Sequence, residues 1–346
     1  MNRINFSTMS LALIAALHAH AACAESSVTV YGNVNVGLVG SNFKTTGQTP
    51  VQGTNTALNN SVQMVDNSSR WGLLGKEDLG NGYYVGFSLE GGINVQNGTG
   101  GQDFKTQGRL FGRDAEVKIG GSFGELYAGY ALSPAGLQLL LVADPWYWNG
   151  NQAGMGWTIQ QANYTQTNYL RTPNTVGYRS PDMHGFTAQL AYSHPDRTNV
   201  YGTSADAGGT LTYRNGPLVI GAGFDRSHGL SNDPAQDTMW DIVGSYDFGA
   251  VRPAFSYTKS SVNNVDYSSY VLALTAPVGP IGLLKVAYGH LSDCLCGPTK
   301  SSLYRASLGY QYNLSKRSNL YANLSRSKAE NLSAADSVEL GIEHNF

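Results

Sequence analysis

Residues 337–346, SVELGIEHNF, decide how this chain is read. Val338, Leu340 and Ile342 alternate with Glu339, Gly341 and Glu343, and the stretch runs on to Phe346. Alternation with period two marks a strand with one apolar and one polar face. Chain ends are usually polar and frayed unless something ties them down. The stretch able to tie this one down is SSVTVYGNVNVGL, residues 26–38. There Val28, Val30, Val34, Val36 and Leu38 share one face, and Thr29, Tyr31, Asn33 and Asn35 the other. Pairing the two segments closes a sheet on itself. Val338, Leu340, Ile342 and Phe346 are then expected on its outer, apolar face, and Glu339, Glu343 and Asn345 toward water.

The same pattern recurs between these ends. Tyr83, Val85, Phe87 and Leu89 alternate with Tyr84, Gly86, Ser88 and Glu90. Phe186, Ala188, Leu190 and Tyr192 alternate with Thr187, Gln189 and Ser193; Tyr304, Ala306, Leu308, Tyr310 and Tyr312 alternate with Arg305, Ser307 and Gln311. Short turns (DLGNG, GSFG, RNGP, DFGA, PVGP) take turns with longer polar stretches such as SNFKTTGQTPVQGTNTALNNS. This spacing predicts about sixteen antiparallel strands of roughly ten residues each. A soluble sandwich also alternates, but its domains are nearer a hundred residues, and here one pattern runs from Val28 to Phe346 without a linker. The expected fold is therefore all-β, a transmembrane barrel whose closure removes every sheet edge. Tyrosines at strand ends (Tyr31, Tyr130, Tyr312) suit interfacial girdles.

Composition agrees. Charged residues are 13%, against 42 glycines and 21 tyrosines, which favours short strands and turns over helices. A net charge of −2 gives no nucleic-acid signal. Arg3, the apolar run MSLALIAALHAHAA and Ala22-Cys23-Ala24 form a basic, apolar and small-residue series, so residues 1–24 are expected to be a cleaved signal peptide preceding a single domain, 25–346. Only Cys294 and Cys296 remain beyond it; their spacing leaves a strained disulfide open, and the neighbouring ligands of a metal site are missing. GGSFG at 120–124 spells a nucleophile elbow, but it sits between two strands, where Ser122 reads as a turn residue. No cofactor, metal site or enzymatic activity is expected.

The stretches SSRWGLLGKEDLGNGYYVGFSLE (68–90), RLFGRDAEVKIGGSFGELYAGY (109–130) and NTVGYRSPDMHGFTAQLAYS (174–193), with the terminal Phe346, resemble the general porins of Gram-negative β-proteobacteria. The resemblance spans the chain beyond the leader. It implies a sixteen-stranded outer-membrane barrel, a homotrimer among outer-membrane lipid and lipopolysaccharide, and passive diffusion of small hydrophilic solutes and ions. It also implies that the third external loop folds into the lumen and that Phe346 is read during assembly.

That loop is expected over Ala131–Leu170, with LQLLLV as a short helix packed on the wall. By the same resemblance Arg70, Arg113 and Arg171 form a constriction with the loop, whose one carboxylate is Asp144. Guanidinium groups stay charged and attract anions, so three against one acid lean toward anion preference. Arg70 alternates against Trp71 and Leu73, and Arg171 shares phase with Arg179. Arg113 shares phase with Val117 and Ile119, which a bulge or a covered face would reconcile. Two other readings stay open: a solute-specific channel for sugars or aromatic or organic acids, sliding along Trp146, Tyr147, Trp148 and Trp157, and a barrel enzyme or surface adhesin.

Overall fold

The computed structural model describes residues 26–41, 62–101, 109–147, 153–155, 171–194, 206–228, 236–262, 265–294, 301–330 and 334–346. The expected signal peptide, Trp148, Trp157 and Cys296 lie outside them, so the leader and the Cys294–Cys296 bond are not described.

The chain runs through strands β1 (Ser26–Ser41), β2 in two pieces (Val62–Asp66 and Arg70–Gly80), β3 (Tyr83–Asn94), β4 in two pieces (Thr99–Gly101 and Asp114–Gly121), β5 (Gly124–Leu132) and β6 (Arg171–Arg179). It continues through β7 (Phe186–Ser193), β8 (Asp206–Asn215), β9 (Leu218–His228), β10 (Gln236–Tyr246) and β11 (Arg252–Val262). The last are β12 (Val265–Val278), β13 (Gly282–Cys294), β14 (Ser301–Asn313), β15 (Ser318–Ala329) and β16 (Ala335–Asn345). Each pairs antiparallel with the next, and β16 returns to β1 in register from Asn33↔Asn345 to Ser41↔Ser337. The sheet is a closed barrel of sixteen strands. The end of the chain is tied as expected: Phe346 N–H donates to Gly32 O (3.0 Å), and Gly32 N–H to Phe346 O (3.1 Å).

The two faces invert the rule of soluble proteins. Val28, Leu190, Leu272 and Leu340 are more than half exposed, whereas Asn33, Asn35, Ser256 and Glu339 are almost wholly buried. An exposed apolar band of this extent is favourable only against hydrocarbon, and closure satisfies the backbone groups that lipid cannot.

The β2 break is functional in its geometry. Asn33 pairs with Arg70 and Val36 with Asp66, so four steps along β2 face three along β1. The extra residue is a bulge, with Ser68 at φ 62°. It switches the inward positions from odd (Val65) to even (Arg70, Gly72) and brings both Asn67 and Arg70 inside.

Asn67 then helps to sew the closing seam. Glu339 points inward as its alternation requires, but not to water: it is fully buried and accepts from Asn67 Nδ2 (2.6 Å) and Asn323 Nδ2 (3.1 Å). Tyr321 OH donates to Asn35 Oδ1 at 2.7 Å, which joins β15 to β1. Glu339→Ala strips acceptors from two buried amides and is expected to cost about 3 kcal/mol. The readout is a lower temperature for conversion of the folded to the unfolded band on detergent electrophoresis; an unchanged midpoint would show that the seam does not depend on this carboxylate.

The helix α1 (Pro134–Ala143) follows β5. Ser133 caps it, its hydroxyl accepting from Gly136 N–H at 3.1 Å, and Pro134 opens the first turn, where its missing donor costs nothing. Ala135, Leu139 and Val142 pack with Trp146 against Met239, Val243, Val271 and Ala287. Those wall residues alternate with exposed Trp240, Ile242, Leu272, Val286 and Tyr288, so α1 lies on the face opposite the apolar outer one. The reading of LQLLLV as a wall-packed helix holds.

Candidate pore constriction

Around a ring of sixteen strands, β3 stands eight places from β11. The helix packs across β7 to β12, most closely on β9 and β10, so β1 and β2, with β3 and β4 beside them, form the wall that faces it. Arg70 on β2 and Arg113 before the main piece of β4 stand on that wall, Arg171, which opens β6, reaches them, and the three gather around Glu90. Arg113 Nε donates to Glu90 Oε1 at 2.5 Å, and Tyr31 OH to Glu90 Oε2 at 2.8 Å. Arg70 Nε lies 3.8 Å from Glu90 Oε2. Arg171 Nε donates to the backbone carbonyl of Arg113 at 2.7 Å. Three of the four predicted site residues therefore meet in one cluster, three guanidinium charges around the Glu90 carboxylate, with Asp114 acting on it through space.

Each arrives by a local departure from regular pairing. Arg70 follows the β2 bulge. Arg113 sits in the bend before Asp114 opens the main piece of β4, and its N–H donates to Glu90 O at 3.1 Å. Counting by twos groups it with Val117 and Ile119, which are exposed on the outer face, but Arg113 precedes the strand and is free of that alternation. Neither a bulge nor a covered face is needed. Arg171 stands beyond a register shift: Gly129 pairs with Thr175 but Ala131 with Thr172, and Asn174 takes φ 54°. Its inferred phase with Arg179 is broken there, and its side chain is buried against Arg113 instead.

Two expectations are corrected. Tyr31 is no girdle residue; it faces inward and holds Glu90. Asp144 does not line the opening as a free acid. It ends α1 at 2% exposure and accepts from the N–H groups of Trp146 (3.0 Å) and Met155 (3.1 Å), so it folds the loop on itself. The central place of Glu90 was available from the β2–β3 hairpin, where Gly72 opposes Glu90 two pairs beyond Arg70↔Gly92, on the same face.

The loop is fastened by side chains from the wall. Arg305 is 1% exposed and donates from Nη1 to Gly154 O (3.0 Å) and from Nε to Ser327 Oγ (2.8 Å). Trp146 Nε1 donates to Asn323 Oδ1 at 2.9 Å, and its ring lies over Gly309, where an added Cβ would come within 2.8 Å of Cζ2. Gln138 Nε2 donates to Asp241 Oδ1 (3.0 Å) while Gln138 Oε1 accepts from Thr212 Oγ1 (2.7 Å). Nearer the short turns, Arg179 pairs with Glu116 (2.9 Å) and Glu125 (2.6 Å), so the positive field there is cancelled. Ser122 lies in the two-residue turn between β4 and β5, as expected.

The sequence profile of the Gram-negative porin family matches residues 10–332. An outer membrane porin protein of Bordetella pertussis is 31% identical to the chain, over 98% of the chain and 99% of that protein. Outer membrane porin protein 32 of Delftia acidovorans is 32% identical, over 97% and 92%. Among solved structures, an anion-selective porin from Comamonas acidovorans superposes with a TM-score of 0.78 at 27% identity, covering 93% of this chain and all of that one.

Proposed function

This chain belongs to the Gram-negative porin family and is an outer-membrane diffusion channel, and on that premise we propose that it prefers anions and owes the preference to the cluster around Glu90. The observation that carries this is the excess of charge on the wall facing the loop: Arg70, Arg113 and Arg171 against Glu90, which they touch or approach, and Asp114, which acts on them through space. Glu90 and Asp114 offset two guanidiniums and leave about one positive charge beside the narrowed lumen. In a water-filled path with low-dielectric walls, such a field sorts ions by sign without binding them tightly. The loop contributes width rather than charge, since Asp144 is turned into its own backbone. The chain acts without chemistry on its solutes, and it works as a homotrimer, as the likeness to general porins implies.

The test is the zero-current potential of the trimer in a planar bilayer with a potassium chloride gradient. It is expected to lie on the chloride side. Arg70→Ala is expected to move it toward zero, because that guanidinium is the most exposed of the cluster and removes least packing. Cation selectivity in the parent would overturn the reading.

A further inference from the structure

On the turn side of the loop, the inner wall of β13 to β16 leaves a cavity of about 220 Å³. Tyr147, Lys285, Lys316, Arg317 and Glu343 line it, with Trp146 at its back. Lys285 is 9% exposed, its Nζ 6.0 Å from the centre of the Trp146 ring. Among the described residues no hydrogen bond or ion pair reaches that ammonium. Two acids act on it through space, Glu343 and Asp144. Both are engaged elsewhere: Asn33 Nδ2 (2.6 Å) and Asn319 Nδ2 (3.1 Å) donate to Glu343, and backbone N–H groups to Asp144. A buried ammonium without a close partner costs several kcal/mol, and the space beside it is where a partner would sit.

From this arrangement we propose that the cavity is a binding station for a compact dianion, one oxyanion end on Lys285 and the other on Lys316 and Arg317 at the rim. Three cations against one lining carboxylate, Glu343, with Asp144 behind Lys285, leave a net positive cavity that sets the sign of the ligand. Their placement at floor and rim asks for two negative ends rather than one. Tyr147 also lines the cavity, 53% exposed and held at φ 49°, a backbone state that costs a bulky residue about 1 kcal/mol. The volume is below the roughly 300–1,000 Å³ of drug-sized pockets, so the ligand is small. Short dicarboxylates and inorganic phosphate share this chemistry. The station is separate from the arginine cluster and adds a saturable step to a channel that otherwise passes ions in proportion to concentration.

Single-channel currents carried by succinate, by inorganic phosphate and, as control, by chloride test it. Succinate or phosphate conductance is expected to saturate with concentration while chloride conductance stays near linear. Saturation by one dianion alone identifies the ligand; saturation by both identifies the shared chemistry. Lys285→Gln is expected to raise the half-saturating concentration about tenfold, the equivalent of one charge-assisted hydrogen bond. Arg317→Gln, on an exposed turn and without a packing role, is expected to raise it in the same direction if Lys285→Gln yields too little folded trimer. Linear dianion conductance in the parent, or saturation unchanged in both variants, overturns the proposal. The outcome is independent of the potassium chloride potential: a channel without anion preference can still saturate with succinate, and an anion-selective one can fail to.

Discussion

Glu90→Gln is expected to raise the permeability of chloride relative to potassium by about fivefold. The carboxylate pairs with both Arg70 and Arg113, and glutamine keeps its shape while removing the charge. An ion passing within about 5 Å of that position, in salt water that screens the charge, gains or loses roughly 0.5 kcal/mol per unit charge, and the opposite signs of chloride and potassium make the difference between them about 1 kcal/mol. That difference is close to a factor of five in a partition ratio. The effect should shrink as salt rises toward 1 M, where the screening length falls to about 3 Å. Salt dependence thus separates a field effect from a change in pore width, which would move the conductance of both ions together. A second consequence has the opposite value for the protein. Arg113 is nearly buried and donates to Glu90 at 2.5 Å, so the variant leaves a guanidinium with a weakened partner. Removing one member of a buried pair costs about 3–5 kcal/mol in general, and the heat stability of the variant is expected to fall while its selectivity rises. A selectivity ratio that stays level or drops would mean that Glu90 serves only to hold Arg113 in place.

How far this site was legible follows from where regular pairing holds. The barrel was readable because period two is a property of the strand itself, and Val338, Leu340 and Ile342 fall on the outer face as counted. The helix was readable from LQLLLV because an apolar run inside a polar barrel needs a surface to cover it. The arginines were harder. Arg70, Arg113 and Arg171 stand at a bulge, before a strand and beyond a register shift, and at each the count by twos resets. Family likeness named them, but the alternation argument was right for Arg70 only because the bulge lies on its N-terminal side. Asp144 was misjudged for another reason: the loop after the helix turns two of its N–H groups, those of Trp146 and Met155, onto this carboxylate, and that contact is decided by loop closure rather than by composition. Arg305 was placed on the inward face by its strand. Its role as a fastener needed Gly154, more than a hundred residues away in sequence.

Arg305→Ala should widen the channel by letting the loop go. The guanidinium ties the segment around Gly154 to the wall at β14 and β15, and it lies close enough to Asp144 for their charges to attract. Alanine removes both hydrogen bonds and leaves a cavity under the loop. By the general cost of emptying a buried charged site, about 3–5 kcal/mol of local fastening is lost. The helix has its own apolar contacts with Met239 and Val243 and is expected to stay. The segment around Gly154 is expected to loosen, because its bond to the guanidinium is lost; Ala153 and Met155, which share the buried cluster of Trp146, move with it, while Trp146 keeps its bond to Asn323 and its apolar contacts with the wall. Single-channel conductance is expected to exceed that of the parent, with larger current noise, and the buried Trp146 to contribute red-shifted fluorescence as water reaches it. Arg305→Lys keeps the charge near Asp144 but has no planar fork to reach Gly154 and Ser327 together, so it should lie between parent and alanine. The ordering matters more than either value. If lysine behaves as the parent, charge alone holds the loop; if it behaves as alanine, the two directed bonds do. Should both variants conduct as the parent does, the loop is fixed by α1, and the width of the channel belongs to the apolar wall rather than to this arginine.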